Sequence, residues 1–335
     1  RLIQGSRNAA GPFQAVVADT LGPLLNVACT LYIDDIMVFG VTEEEFVDNW
    51  IAVLRALHAK GFKVAAKKTV FYAKTIHYCG RLFTVDGAEF DPKLIDSVVN
   101  MSRPMTAAEL RTYLATTNWI RTSIPRHAEV VQPLQDLLTA ALRNCRLGKN
   151  AAKYVKLDEV GWCEVHDRAF AAINKVVGQS VRLAYPEEGK TLCVFTDASD
   201  THWAGVVTQV APEELAKATL EQLHQPLAFV SGAFNGSQLR WPTIEKEAYA
   251  ILETCLRVEH ILKCPAGFRL YTDHNNLRYI MTQDPQLFAG RRQAADRVER
   301  WTIVLRAFRY EVFHIPGEVN IFADLLTRWG APTRK

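Results

Sequence analysis

The segment Tyr32-Ile33-Asp34-Asp35-Ile36 constrains this chain more than any other, because it sets two adjacent carboxylates inside an apolar run, LYIDDIMVFG. β-Formers on both sides predict two short strands joined by a sharp turn at the acids. Like charges this close resist ionising together unless a cation neutralises them. Mg²⁺, held by one or two carboxylates plus substrate phosphates, is the usual partner for such a pair. An ordinary Asp-rich turn is the plainer reading of Asp-Asp taken by itself.

The surroundings of the pair shift that balance. With its neighbours the segment resembles the Tyr-x-Asp-Asp motif of reverse transcriptases, and the motif order along the chain resembles the polymerase of gypsy-type LTR retrotransposon Pol polyproteins. Gly5-Ser6-Arg7-Asn8-Ala9-Ala10-Gly11-Pro12-Phe13-Gln14 is similar to the family's Phe-Gly-x-x-Asn-Ala-Pro-x-x-Phe-Gln segment, with Gln4 in place of Phe and Ala10 in place of Pro. The resemblance implies polymerase roles for Tyr32, Asp34, Asp35, Asn8 and Gln14, with Asp34 and Asp35 as metal ligands. Lys67-Lys68-Thr69-Val70-Phe71 and His77-Tyr78-Cys79-Gly80 resemble the palm lysine and primer-grip segments, which makes Lys67 and Lys68 nucleic-acid contacts. The family carries a further metal-binding Asp upstream of the Asn-Ala segment, and Asp19 falls after that segment, in a stretch from Phe13 to Leu25 that reads as a short helix. The expectation is a partial palm without fingers, and no DNA polymerisation by this chain alone.

Bulk properties fit a piece of a multidomain enzyme. The chain has 335 residues, 49% of them hydrophobic and 22% charged, enough for more than one core. No apolar run is long enough to span a bilayer and no signal peptide is evident, so a membrane protein is not expected. The absence of an initiating Met suggests a processed or trimmed segment. Seven cysteines without a Cys-x-x-Cys pair argue for reduced thiols, hence a cytoplasmic setting such as a retroelement particle, or a nuclear one, and no structural metal.

A net charge of +3 proves no nucleic-acid partner, so the distribution of charge matters more. Basic clusters fall at Lys60 to Lys74, Arg143 to Lys156 and Arg291 to Arg309, and solvated faces would explain each taken singly. In the last, Arg291, Arg292, Arg297 and Arg300 stand near Trp301, which suggests phosphate contacts beside a stacking surface.

The organisation predicted is multidomain, α/β and α+β: a partial palm over 1–92, a mainly helical thumb or connection over 93–184, a linker at 185–190 and a second domain over 191–330. Asp91-Pro92 breaks the palm strands. Thr106-Ala107-Ala108-Glu109 is a capping box opening a helix, with Tyr113 and Trp119 expected in its core and residues 143–160 expected as an exposed basic loop.

In the second domain, strands are expected at Leu192 to Thr196, Ala204 to Gln209 and Pro226 to Phe234. A helix from Ile244 to Leu262 capped by Thr243 follows, then strands at Phe268 to Thr272 and Tyr310 to Ile315 and a helix carrying Asp324. This order resembles RNase H, a mixed five-stranded sheet with flanking helices. Thr196-Asp197-Ala198-Ser199, Thr243-Ile244-Glu245-Lys246-Glu247, Thr272-Asp273-His274 and Asn320-Ile321-Phe322-Ala323-Asp324 are similar to the motifs of the retrotransposon RNase H domain, while Ser231-Gly232 and Asn276 depart from them. Carried over by position, the catalytic and metal-binding carboxylates are Asp197, Glu247, Asp273 and Asp324. Helix geometry turns positions two apart by roughly 200°, so Glu247 borders the buried stripe of Ala248, Ile251, Leu252 and Cys255 while Glu245 is expected to point away.

The resemblance implies hydrolysis of the RNA strand of RNA/DNA hybrids with two Mg²⁺ ions, or Mn²⁺ in their place. Expected partners are a hybrid or primer-template and either a second copy or the rest of the Pol polyprotein. The competing readings are a degenerate or domesticated element serving as a nucleic-acid or protein-binding scaffold, and a reverse transcriptase completed by a longer parent chain. His274 and His314 read as local hydrogen-bonding groups rather than general acids.

Overall fold

The computed structural model describes residues 9–143, 151–219, 221–274, 276–277 and 296–316. Asn8, Arg291, Arg292 and Asp324 lie outside them, as does the C-terminal helix expected around Asp324. The chain divides into two compact units, Arg1–Val85 and Asp86–Lys335.

In the first unit, helix α1 (Ala10–Leu21) runs into a 3₁₀ turn, Gly22–Leu24, in place of one helix reaching Leu25. Strands β1 (Cys29–Tyr32) and β2 (Asp35–Val38) pair antiparallel with Tyr32 opposite Asp35, so the turn is Ile33-Asp34. Ile33 takes φ +56°, rare for a β-branched residue, and its N–H donates to Gln14 Oε1 at 3.3 Å. Helix α2 (Glu43–Ala59) starts where Thr42 Oγ1 accepts the Glu45 N–H and three glutamates fill the first turn, complementing the helix dipole. It buries Val53 and Leu57 against Val17, Leu21 and Cys29. Strands β3 (Ile76–Tyr78) and β4 (Arg81–Thr84) close a hairpin through Cys79-Gly80, both at positive φ as a type I′ turn requires.

The second unit opens with β5 (Gly87–Phe90), where Ala88 bridges to Leu183. Asp91 then caps helix α3 (Pro92–Val99), accepting the Lys93 N–H at 2.9 Å. Helix α4 (Ala107–Trp119) carries the expected Thr106/Glu109 capping box. It packs with α5 (His127–Arg143), α6 (Leu157–Val160) and α7 (Glu164–Gly178) around Leu110, Leu134, Leu157 and Ile173. Tyr113 is buried and donates to Asn174 Oδ1 at 2.7 Å, as a buried phenol requires.

Two expectations fail in this region. Trp119 ends α4 on its outer side and is 54% exposed. The stretch expected as an open loop over 143–160 is in part core: Ala152 and Leu157 are buried, and Val155 O and Met105 O accept the Ala107 and Leu157 N–H groups.

Strands β6 (Thr191–Ala198), β7 (His202–Val210) and β8 (Gln225–Ala233) form an antiparallel meander. Helices α8 (Thr243–Arg257) and α9 (Glu259–Leu262) follow, then β9 (Phe268–Thr272), α10 (Asp296–Leu305) and β10 (Tyr310–His314). The sheet order is β10-β9-β6-β7-β8, with β9 parallel to β6 and β10 parallel to β9. Strand β6 is central and covered on both faces, which explains its unbroken apolar run: Leu192 and Val194 meet the α8 side, Cys193 and Phe195 the other.

Thr243 does not cap α8 with its side chain; Pro242 holds the cap position, and its carbonyl accepts the Glu245 and Lys246 N–H groups. The expected single helix breaks at Val258, where α9 begins. Helix α8 approaches the sheet closely because β7 presents Gly205 beneath it; a Cβ there would run into the Thr254 side chain. Gly232 likewise leaves room for the Trp203 indole, 2.7 Å from where a Cβ would stand.

Candidate active site

Parallel pairing of β6 with β9 matches Phe195 with Tyr271, so Asp197 and Asp273, each two residues further on, emerge at one end of adjacent strands. Helix α8 lays Glu247 across the same end, where its Oε1 accepts the Ala198 N–H at 3.3 Å. Glu247 is 5% exposed, and its Oε2 is buried with no hydrogen-bond partner. Burial, then the negative charge of Asp273 and of Asp197, pushes the Glu247 carboxyl up to about 8. Asp197 and Asp273 thus lie near enough to Glu247 to act on its charge, and Asp324 lies outside the described residues.

One side of this cluster was not legible in advance. Arg126, at the start of α5 with φ +50°, donates from Nη2 to Asp197 Oδ2 at 2.7 Å. Its Nη1 stands 3.9 Å from Glu129 Oε2. No motif pointed to Arg126; only its place next to Pro125, before a helix, marked a turn. Among the described residues no group of three or more His, Cys, Asp or Glu is arranged to hold a metal, and Asp197 is engaged by a guanidinium.

Glu245 does lie on a different side of α8 from Glu247, yet that side does not face water. It is 7% exposed and ion-paired with Arg297 of α10, a helix that periodicity alone could not place there. In the expected basic cluster, the half-exposed Arg297 guanidinium lies 4.5 Å over the Trp241 ring, and the half-buried Trp301 packs 5.4 Å from Trp241 and 5.6 Å from Tyr249. Arg300 is exposed. The His314 ring nitrogen bonds the Asp273 carbonyl at 3.1 Å between β10 and the end of β9, and the His274 backbone N–H donates to Thr272 Oγ1.

In the first unit, Asp34, Asp35 and Tyr32 are exposed at the β1–β2 turn, Gln14 braces that turn, and Lys67 and Lys68 are exposed on a 3₁₀ turn, Ala66–Lys68.

Comparison with known proteins agrees with this division. Residues 1–83 match the family model described as reverse transcriptase (RNA-dependent DNA polymerase), and residues 187–308 match the RNase H-like domain found in reverse transcriptase. Among curated proteins, the retrovirus-related Pol polyprotein from transposon opus of Drosophila melanogaster is 27% identical over 98% of this chain and 30% of its own length. The corresponding polyprotein from transposon gypsy of the same species is 24% identical over 98% of the chain and 29% of its own length. Transposon Tf2-3 polyprotein of Schizosaccharomyces pombe is 24% identical over 97% of the chain and 22% of its length. The chain thus spans less than a third of these relatives. Among solved structures, foamy viral protease-reverse transcriptase in complex with dsDNA superposes at TM-score 0.69 with 21% identity, covering 95% of this chain and 60% of that one. The same protein in complex with RNA/DNA hybrid gives 0.68 with 22% identity, covering 96% and 40%. The chain thus holds one stretch similar to reverse transcriptases and one similar to their RNase H-like domain, and along nearly its whole length it is similar to retrotransposon Pol polyproteins.

Proposed function

We propose that the second unit hydrolyses the RNA strand of RNA/DNA hybrids, in a Pol polyprotein of gypsy type whose polymerase metal turn is Asp34-Asp35. The observation that carries this reading is Glu247: a buried carboxyl with an orphaned oxygen, crowded by Asp197 and Asp273, fits a divalent cation better than any neutral partner. Asp197, Glu247 and Asp273 would hold Mg²⁺, with Asp324 assigned by its motif. When bound, such ions supply a polarised water and charge stabilisation for a phosphodiester displacement, so no nucleophilic side chain is needed.

The chain's own part is to orient. The Ala198 N–H fixes one oxygen of Glu247 and leaves the other buried without a hydrogen-bond partner. The His314 contact to the Asp273 carbonyl steadies the end of β9. Choice of the RNA strand rests on its 2′-hydroxyls, which line a wide, shallow minor groove and which DNA lacks. Incubation of the chain with a labelled hybrid and Mg²⁺ is expected to cut the RNA strand, with loss of cutting in Asp197→Asn. An intact RNA strand in the wild type would contradict the reading.

A further inference from the structure

We propose that Arg126 is a built-in competitor for the cation: its guanidinium occupies Asp197 in the closed arrangement, and a divalent ion loads only after that guanidinium moves across to Glu129. The proposal rests on the reading of Asp197 as a metal ligand.

The geometry supplies both positions of such a device. In the first, Arg126 Nη2 lies 2.7 Å from Asp197 Oδ2, a charge-assisted bond to an atom that an incoming ion needs. Mg²⁺ demands short, near-octahedral oxygen contacts, so an oxygen committed to a guanidinium is not available to it. In the second, Glu129 is already 3.9 Å from the other terminal nitrogen, three residues along α5, and offers the side chain a carboxylate once it leaves Asp197.

The backbone is set up to present this side chain. Arg126 takes φ +50°, a left-handed conformation that is costly for a residue with a Cβ, and such outliers persist where surrounding structure over-determines them. Two contacts provide that restraint: α5 docks on the edge strand β8, where the Ala128 N–H donates to Ser231 Oγ at 3.0 Å, and the turn before it is tied down by Ser123 O, which accepts the Val181 N–H at 3.0 Å. The contact is not sealed. A cavity of about 40 Å³ opens beside it, bordered by Arg126, Glu129, Asp197, His202 and Ser231, and both partner side chains are part-exposed. A half-exposed ion pair adds little to stability, so its main consequence is for the occupancy of Asp197.

Mn²⁺ binding to the metal-stripped full chain, followed by the loss of the free-ion electron paramagnetic resonance signal, tests the idea without reference to catalysis. Arg126→Gly removes the guanidinium and suits the positive φ, and Arg126→Asn does the same while keeping a side chain. Both are expected to tighten the Asp197-dependent Mn²⁺ site by on the order of tenfold, the lower range of coupling between linked sites. Glu129→Ala, which takes away the alternative acceptor, is expected to weaken it. If Asp197→Asn abolishes the site while both Arg126 variants bind as the wild type does, or more weakly, the competitor role is overturned and the active-site reading stands. If Asp197→Asn binds Mn²⁺ as tightly as the wild type, the reading of Asp197 as a ligand fails, and the competitor role with it.

Discussion

Replacing Glu247 by Gln should stabilise the metal-free protein, increasingly so as the pH rises. Folding lifts the Glu247 carboxyl from its ordinary value of 4.5 to about 8, through burial first and then through Asp273 and Asp197. Between those values the folded chain keeps a proton that the unfolded chain releases. The unfolded state binds fewer protons, so stability falls with rising pH across this window and levels off above pH 8. At about 1.4 kcal/mol per pH unit, wild type loses about 3 kcal/mol between pH 5.5 and 7.5 through this residue. The amide introduced by Glu247→Gln does not titrate, so the advantage of the variant over wild type grows by the same amount. At roughly 2–4 °C per kcal/mol for a unit of this size, the gap between the two melting temperatures widens by roughly 6–12 °C. Calorimetry in a chelating buffer at pH 5.5, 6.5 and 7.5 measures it. A pH-independent difference between variant and wild type, or a Glu247→Gln protein less stable at pH 7.5, would refute the argument that a buried Glu247 sits within reach of the charges of Asp197 and Asp273.

Other perturbations test the surrounding structure. Gly205→Val should destabilise by about 1–3 kcal/mol in urea titration, because added atoms meet Thr254 and push α8 off the sheet; unchanged stability would remove that contact from the account. Thr106→Ala should cost about 1 kcal/mol through loss of the capping box on α4, read from the same titration. Arg297→Ala should cost about 1–3 kcal/mol by leaving the buried Glu245 carboxylate unpaired, and adding Glu245→Gln should recover most of it. If Arg297→Ala instead lowers hybrid affinity at unchanged stability, Arg297 is a phosphate contact after all.

Legibility of the sequence followed the range of the interactions. Local signals were readable: the Thr106/Glu109 box opens α4, Asp91-Pro92 ends one element and begins the next, and β9 spans Phe268 to Thr272 as its apolar pattern implies. The doubly covered β6 announced itself through an unbroken apolar run. What failed depended on partners remote in the chain. Helical periodicity separated Glu245 from Glu247 but could not know that α10 brings Arg297 to the other side. Nor did the sequence reveal that Trp241 and Tyr249 pack around Trp301. Leu157 was hidden in a polar stretch, and Trp119 sits at a helix end where burial depends on whatever packs beyond it. At the site itself the acids were found from motif likeness, whereas Arg126 reaches Asp197 from 71 residues away with no motif to mark it.

The central claim, that carboxylates gathered at the ends of β6 and β9 and on α8 promote a metal-assisted displacement at phosphorus, is tested most directly by the ends left on the cut RNA. A water attack that expels the 3′ oxygen leaves a 5′-phosphate and a 3′-hydroxyl. End-labelling of products from a hybrid cut in Mg²⁺ is predicted to give those termini in wild type and no product in Asp197→Asn. Fragments ending in 2′,3′-cyclic phosphate, or cleavage that persists in chelator, would contradict the account.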